Sequence, residues 1–480
     1  MEADGEREEA FRRTKIVATV GPATSAVDRL AELISAGADV LRINFSHATA
    51  DEHADRIATI REASERAEKV VGLLGDLPGP KLRLGDVPGD VVELDEGDEL
   101  TLCAEATEGS AERLTVSWAG LPGAVKEGDV IYLADGRIRL RVLDADADEA
   151  RCEIEAGGPV ASHQGINLPG ADASLPAVSE TDLEWVDFAV EQDLDLIAVS
   201  FVRTRDDLRP VEERLASHGV DTPIIAKIEK PQAADNAEEI VEAATGIMVA
   251  RGDLGIELPL AKVPTVQKRL LALAGHHSKF SITATQMLAS MVTAPRPTRA
   301  EVTDVANAIY DGTDAVMLSE ETAVGEYPVE AVRVMDRIAR ETEPNLPYGE
   351  WLLSRGQETE GDVGGTVAQG AVGATYRLGL AALVVPTRSG RTARLVSAHR
   401  PRVPVLAISP RPETVRRLNV LFGVRCVPSE EWASLRDLLD DCARLAREQG
   451  VAASGDLIAI TAGLPEQKLG TNLFEVHRVP

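Results

Sequence analysis

The 480-residue chain is long enough for two to four domains, and 44% hydrophobic with 27% charged residues excludes a disordered or collagen-like chain. Fifty Lys and Arg stand against seventy-nine Asp and Glu, a net charge of −29, and aromatics make up 3%, which argues against partners such as nucleic acid or an anionic membrane. No apolar run nears the ~18 residues of a membrane span, the polar opening lacks a signal-peptide core, and four scattered cysteines suggest neither a disulfide framework nor a zinc site, so a cytoplasmic location is expected.

After an acidic tail at 1–12, short β-rich runs alternate with amphipathic stretches: KIVATVG (15–21), VLRINF (40–45) and VGLLGDL (71–77). Between the first two, Leu30, Leu33, Ile34 and Ala38 keep helical spacing. Residues 81–174 then break the pattern, with turn signals such as PGD, EGD and ADG between short Val, Leu and Ile runs. That segment predicts a small β-barrel or sandwich, placed as a lid. Five further runs follow: LIAVSFV (196–202), IIAKIEK (224–230), IMVARGD (247–253), SITATQ (281–286) and AVMLSEE (315–321). Eight βα units over 13–80 and 175–345 predict a closed (β/α)₈ TIM barrel. Residues 346–480 predict a separate α/β domain, with a helix near 363–378, four strands (LAALVVPT, PVLAIS, GVRCVP, DLIAIT) and a turn TRSGRT opening a helix.

Active sites of such barrels lie at the carboxyl ends of the strands, so polar residues there carry the chemistry. Lys227 and Glu229, two apart in one strand, face the same way inside a barrel, where charge must be neutralised by a partner or a ligand. As a pair they fit a plain buried ion pair equally well. Adding Asp253 from the next strand makes a two-carboxylate oxygen site suited to Mg²⁺ completed by phosphate and water. Arg42, beside Asn44 and Ser46, offers a bidentate fork for a phosphate. Thr285 fits a helix cap or a holder of a proton donor, and His47 a loop hydrogen-bonding residue.

Together the runs TKIVATVGPAT, LRINFSH, INLPG with LPAVSE, IIAKIEKP, GIMVARGDLGIEL, TATQML, PRPTRAEVTDVANAIYDGTDAVMLS and ETAVGEYP resemble pyruvate kinase, in family order across 14–345. The resemblance implies a TIM-barrel A domain interrupted by a β-barrel B domain, a regulatory C domain, usually a homotetramer, and phosphate transfer from phosphoenolpyruvate to ADP. It further implies that Glu229 and Asp253 hold Mg²⁺ or Mn²⁺ and that Lys227 stabilises charge on the moving phosphoryl group. Arg42 would grip the phosphate, Gly252 with Asp253 and Thr285 the substrate, and Thr285 would order the proton donor. Arg83, with Asn44 and His47, would serve the nucleotide, and TRSGRT (Thr387, Ser389, Gly390, Arg391, Thr392) a phosphorylated effector.

Departures from the family pattern carry expectations of their own. In the monovalent-cation region (Asn44, Ser46, Asp76, Leu77, Lys81), DLPGPKLRL resembles the potassium-independent subgroup, with the Lys81 ammonium standing in for K⁺. Gln164 stands where many relatives have a nucleotide-contacting Lys, and Glu320 where they have Gly; nothing explains the second beyond added acidity. The segment ending VHRVP leads to the expectation that the phosphohistidine-like domain of some bacterial relatives is absent. Only ten of the fifty basic residues are lysine, which with the acid excess suggests a haloarchaeal-type protein in a high-salt cytoplasm. Two rival readings stand beside it: a Mg²⁺-dependent 2-oxo acid lyase or aldolase barrel, which would lack the long insertion, and an inactive phosphometabolite sensor, against which the intact Lys227, Glu229, Asp253 and Thr285 speak.

Overall fold

The computed structural model describes residues 11–80, 82–104, 109–134, 136–168, 175–356, 362–463 and 470–480. Eight parallel strands close into a barrel: β1 (Lys15–Thr19), β2 (Val40–Asn44), β3 (Gly72–Asp76), β4 (Leu196–Val199), β5 (Ile224–Ile228), β6 (Gly246–Ala250), β7 (Phe280–Ala284) and β8 (Ala315–Leu318). Each falls on one of the eight runs expected from sequence, β6 and β7 starting one residue earlier, and β1 pairs with β8 to close the ring. The outer helices bury the stripe their spacing predicts. In Val27–Ala36, Leu30, Leu33 and Ile34 are buried, and Gly37 ends the helix at φ 132°, a conformation that favours glycine. Helix Ala50–Arg66 starts at a capping box formed by Thr49 and Glu52.

Inside the barrel, Val17, Val40, Leu74, Ile225, Met248, Ile282 and Met317 form an apolar layer. Two residues further along their strands, on the same face, stand Thr19, Arg42, Asp76 and Lys227. The strand period thus sets a polar layer directly above an apolar floor. At the opposite end the same apolar cluster runs on into the C-terminal domain through Val420, Leu421 and Val385.

The insertion between β3 and β4 has its own core, including Leu100, Leu102, Ile131, Leu140 and Ile154. Its main sheet has six strands, with Ile166–Asn167 at one edge and Arg113–Thr115 at the other, beside a two-stranded ribbon of Gly158–Ala161 and Val91–Leu94. The stretch 82–85 hydrogen-bonds to both edges, Ile166 N–H to the Leu82 carbonyl (2.9 Å) and Gly85 N–H to the Thr115 carbonyl (2.7 Å), so the sheet is bridged round toward a barrel. The C-terminal sheet has strands Val424–Pro428, Val405–Ser409, Ala382–Pro386, Leu457–Ala462 and Leu473–Arg478 in spatial order. The last, antiparallel to Leu457–Ala462, is one strand more than the sequence pattern predicts. Among the described residues no helix is long and apolar enough to cross a membrane.

Candidate active site

At the carboxyl end of the barrel four charged side chains alternate in sign. Arg42 Nε donates to Asp76 Oδ2 at 2.6 Å, and its Nη1 to the Thr19 hydroxyl at 3.0 Å. The Lys227 ammonium lies 3.1 Å from Asp76 Oδ1 and 2.8 Å from Glu229 Oε1, and donates to Ser200 Oγ at 2.7 Å. The Ser200 hydroxyl donates to the Leu77 carbonyl (2.7 Å), and the Phe201 N–H donates to Glu229 Oε2 (2.9 Å). Lys227 and Glu229 are therefore a buried ion pair, but one within a wider chain that includes Asp76.

The electrostatics follow from this arrangement. Burial alone would lower the Lys227 pKa, yet the carboxylates of Asp76 and Glu229 outweigh it, with a smaller contribution from Asp253, and hold it well above that of a free lysine. Burial works to raise Asp76, and Arg42 and Lys227 reverse that, keeping it ionised below the usual carboxylate range.

Asp253 sits on the short helix Arg251–Glu257 that opens directly after β6. Here the Gly252 amide donates to the Thr285 hydroxyl (2.7 Å), which donates in turn to the Ala284 carbonyl (2.6 Å). Thr285 and Gln286 take φ of 68° and 53°, left-handed values unusual outside glycine. Arg251 secures this corner, reaching the Thr285 carbonyl at 2.9 Å and Asp304 Oδ1 at 2.8 Å.

Two cavities open between barrel and insertion, and Asp253 and Glu257 border both. One, of about 630 Å³, is lined by His47, Arg83, Gln164, Arg203 and Lys230; the other, of about 1100 Å³, by Gly252, Thr285, Gln286 and Glu320. The site residues expected from sequence thus divide, with His47 and Arg83 on one side and Gly252 and Thr285 on the other. Gln164 accepts from the Ala161 N–H (3.0 Å), and Arg83 Nη1 donates to the His163 carbonyl (2.9 Å). In the monovalent-cation region Asn44 Oδ1 accepts from the Ser46 N–H (3.1 Å) and the Leu77 side chain is buried. Lys81, the key to that region, lies outside the described residues.

The TRSGRT turn joins a strand to helix Arg391–Ala398 as expected, with Gly390 at φ 79° donating to the Thr387 hydroxyl (3.0 Å). Ser389 is exposed, Arg391 pairs with Asp362 (3.1 Å), and the Thr392 and Thr471 hydroxyls bond one another. Ser200, Phe201, Arg251 and Glu257 are structural members of the active site that sequence reasoning passes over. Ser200 had a signal, since it continues the inward period of Ala198.

Residues 11–332 match the family model for the pyruvate kinase barrel domain, and 365–477 the model for the pyruvate kinase alpha/beta domain. The chain belongs to the pyruvate kinase family. It is 42% identical over 470 residues to the pyruvate kinase of Geobacillus stearothermophilus, covering 97% of this chain and 80% of that protein. It is 41% identical over 472 residues to that of Staphylococcus aureus (strain MRSA252), covering 98% and 81%. The pyruvate kinase activity is phosphotransfer between phosphoenolpyruvate and ADP, and the lyase and sensor readings fall away. Pyruvate kinases need a divalent cation, and the donor set here fits one. Glu229 and Asp253 are hard carboxylate oxygens, and each oxygen of Glu229 keeps lone-pair capacity beyond the one N–H it accepts. Among the described residues the trio of His, Asp or Glu donors within 4.8 Å of one another is Glu238, Glu242 and His277, which lies off this active site.

Proposed function

We propose that the two cavities are the two substrate sites of the pyruvate kinase reaction, phosphoenolpyruvate on the Thr285 side and ADP on the Arg83 side, with phosphate passing beside Asp253. Glu229 and Asp253 would hold Mg²⁺ or Mn²⁺, which when bound supplies positive charge to the phosphoryl oxygens and the enolate. Arg42, steered by Asp76 and Thr19, grips the phosphate through its remaining N–H groups. Lys227, kept protonated by its carboxylate neighbours, places fixed charge beside the transferring group without reorganisation. The Thr285 hydroxyl, held by Gly252 and Ala284, orients the proton donor for the enolate carbon. Arg83, with His47 and Asn44, serves the nucleotide, and the insertion (81–174) closes over both cavities and excludes water.

The observation that carries this reading is the position of Asp253, at once on the wall of both cavities and within the field of Lys227. Three finer points belong with it. Leu77 gives K⁺ no side-chain oxygen, which supports potassium independence. The edge strand Leu473–Arg478 with half-exposed Phe474 and Val476 supports assembly into a homotetramer, and TRSGRT a phosphorylated effector site. The charge of −29 supports a halophilic protein of haloarchaeal type working in a salt-rich cytoplasm. One assay tests the site assignment and the potassium independence: ADP-dependent pyruvate release with Mg²⁺, in molar KCl and in tetramethylammonium chloride of equal ionic strength. Equal turnover in both salts is expected. Loss of turnover in the second by a still-folded enzyme defeats potassium independence, and no ADP-dependent release in either defeats the site assignment.

A further inference from the structure

A second ion pair lies beside the cation ligands and is used by none of the steps above. Lys230, the residue after Glu229, pairs through its ammonium with Glu257, and the same ammonium lies 5.4 Å from the centre of the Phe201 ring. Phe201 takes a left-handed φ of 57°, and its N–H holds Glu229 Oε2. Glu257 closes the helix that carries Asp253, four positions and about one turn along, so the two side chains share a face. The Glu257 side chain is 1% exposed and that of Lys230 19%. Among the described residues Glu257 Oε2 has no partner, so the carboxylate is committed to Lys230 through one oxygen only. One end of the pair is thus tied to the segment bearing Glu229, and the other to the segment bearing Asp253.

We infer that the Lys230–Glu257 pair is a brace that fixes the separation of Glu229 and Asp253, making both residues positioning residues for the divalent cation. The inference rests on the reading of Glu229 and Asp253 as the cation's ligands. A mere field effect has a different signature from a brace. Through space alone the Lys230 charge repels a divalent cation and the Glu257 charge attracts it, so deleting Lys230 would tighten binding. A brace lost at either end loosens it.

The test is Mn²⁺ binding to the full chain, followed by loss of the free-ion electron paramagnetic resonance signal in molar KCl, which screens the acidic surface. The neutral double variant Lys230→Met/Glu257→Gln cancels the field contribution and is expected to bind Mn²⁺ about tenfold more weakly, the scale seen when groups supporting metal ligands are removed. Lys230→Met alone is also expected to weaken binding, and Lys230→Arg to restore it. A double variant that binds like the parent, or a Lys230→Met that binds more tightly, overturns the brace. Glu229→Gln is the control: unchanged Mn²⁺ affinity there overturns the ligand reading itself, whatever the brace variants do. Titrations are run well below each variant's melting temperature, and Lys230→Met/Glu257→Met replaces any variant that does not fold.

Discussion

At the amino end of the barrel Arg400 is wholly buried, gives Nη1 and Nη2 to the two oxygens of Asp314 at 2.7 and 2.9 Å, and lies 4.4 Å from the centre of the Phe422 ring. Asp314 also accepts the backbone N–H groups of Ser281 and Phe422, so its lone pairs are filled by the chain itself. At the carboxyl end the buried chain from Arg42 to Glu229 is partnered as thoroughly by side chains, but it lies within the field of Asp253, which borders both cavities, and keeps N–H groups and lone pairs in reserve. Closed charge fastens the C-terminal domain to the barrel; open charge is what the proposed chemistry draws on. Burial and pairing alone do not distinguish them, and the test is what remains unsaturated and where it points.

Variants at the two ends sharpen or break that distinction. Arg400→Met strands Asp314 and is expected to lower unfolding free energy by about 3–5 kcal/mol, measured by denaturant titration. Turnover of its folded fraction should match the parent, and a collapse of turnover in folded enzyme would erase the contrast. Lys227→Met is expected to reverse this, cutting turnover by at least ~100-fold in the coupled assay while circular dichroism shows the fold intact. Unaltered turnover would remove Lys227 from the chemistry.

The smallest expected effect concerns pH. Burial, reinforced by Arg355, lowers His399 from 6.5 to about 4, and neither ring nitrogen has a partner among the described residues. Between those values the unfolded chain takes up a proton that the folded chain refuses, so stability is complete above pH 6.5 and declines as pH falls toward 4. The loss reaches about 2 kcal/mol by pH 5. His399→Leu should flatten the melting-temperature profile across that window and leave the pH dependence of turnover unmoved. An unchanged profile would show that His399 is protonated where it stands.

The carboxyl end was the more legible of the two from sequence. Strand period places Arg42, Asp76 and Lys227 inward, and the barrel rule places them at the reacting face, so short-range pattern suffices. Ser200 escaped because a single serine after an apolar run says little. Phe201 and Glu257 escaped because their roles depend on a left-handed backbone and on where a seven-residue helix stops, neither of which periodicity encodes. Nothing local announces the Arg400–Asp314 pair, since 86 positions separate its members. The strand Leu473–Arg478 was missed for a related reason: its FEVHR alternates apolar with charged residues at a chain end, and only its antiparallel neighbour gives that pattern a place.

Arg42, Asp76, Lys227 and Glu229 sum to zero. This end of the barrel is accordingly not an electrostatic trap for any passing polyanion, because each positive group is already shielded by a resident acid, and Asp253 tips the local sum negative. A phosphate ester arriving bare must break an internal attraction for each one it gains. On the proposed assignment, one that comes with a divalent counter-ion would satisfy the acids and release the bases in a single exchange, so that the site would select for neutral company as much as for molecular shape.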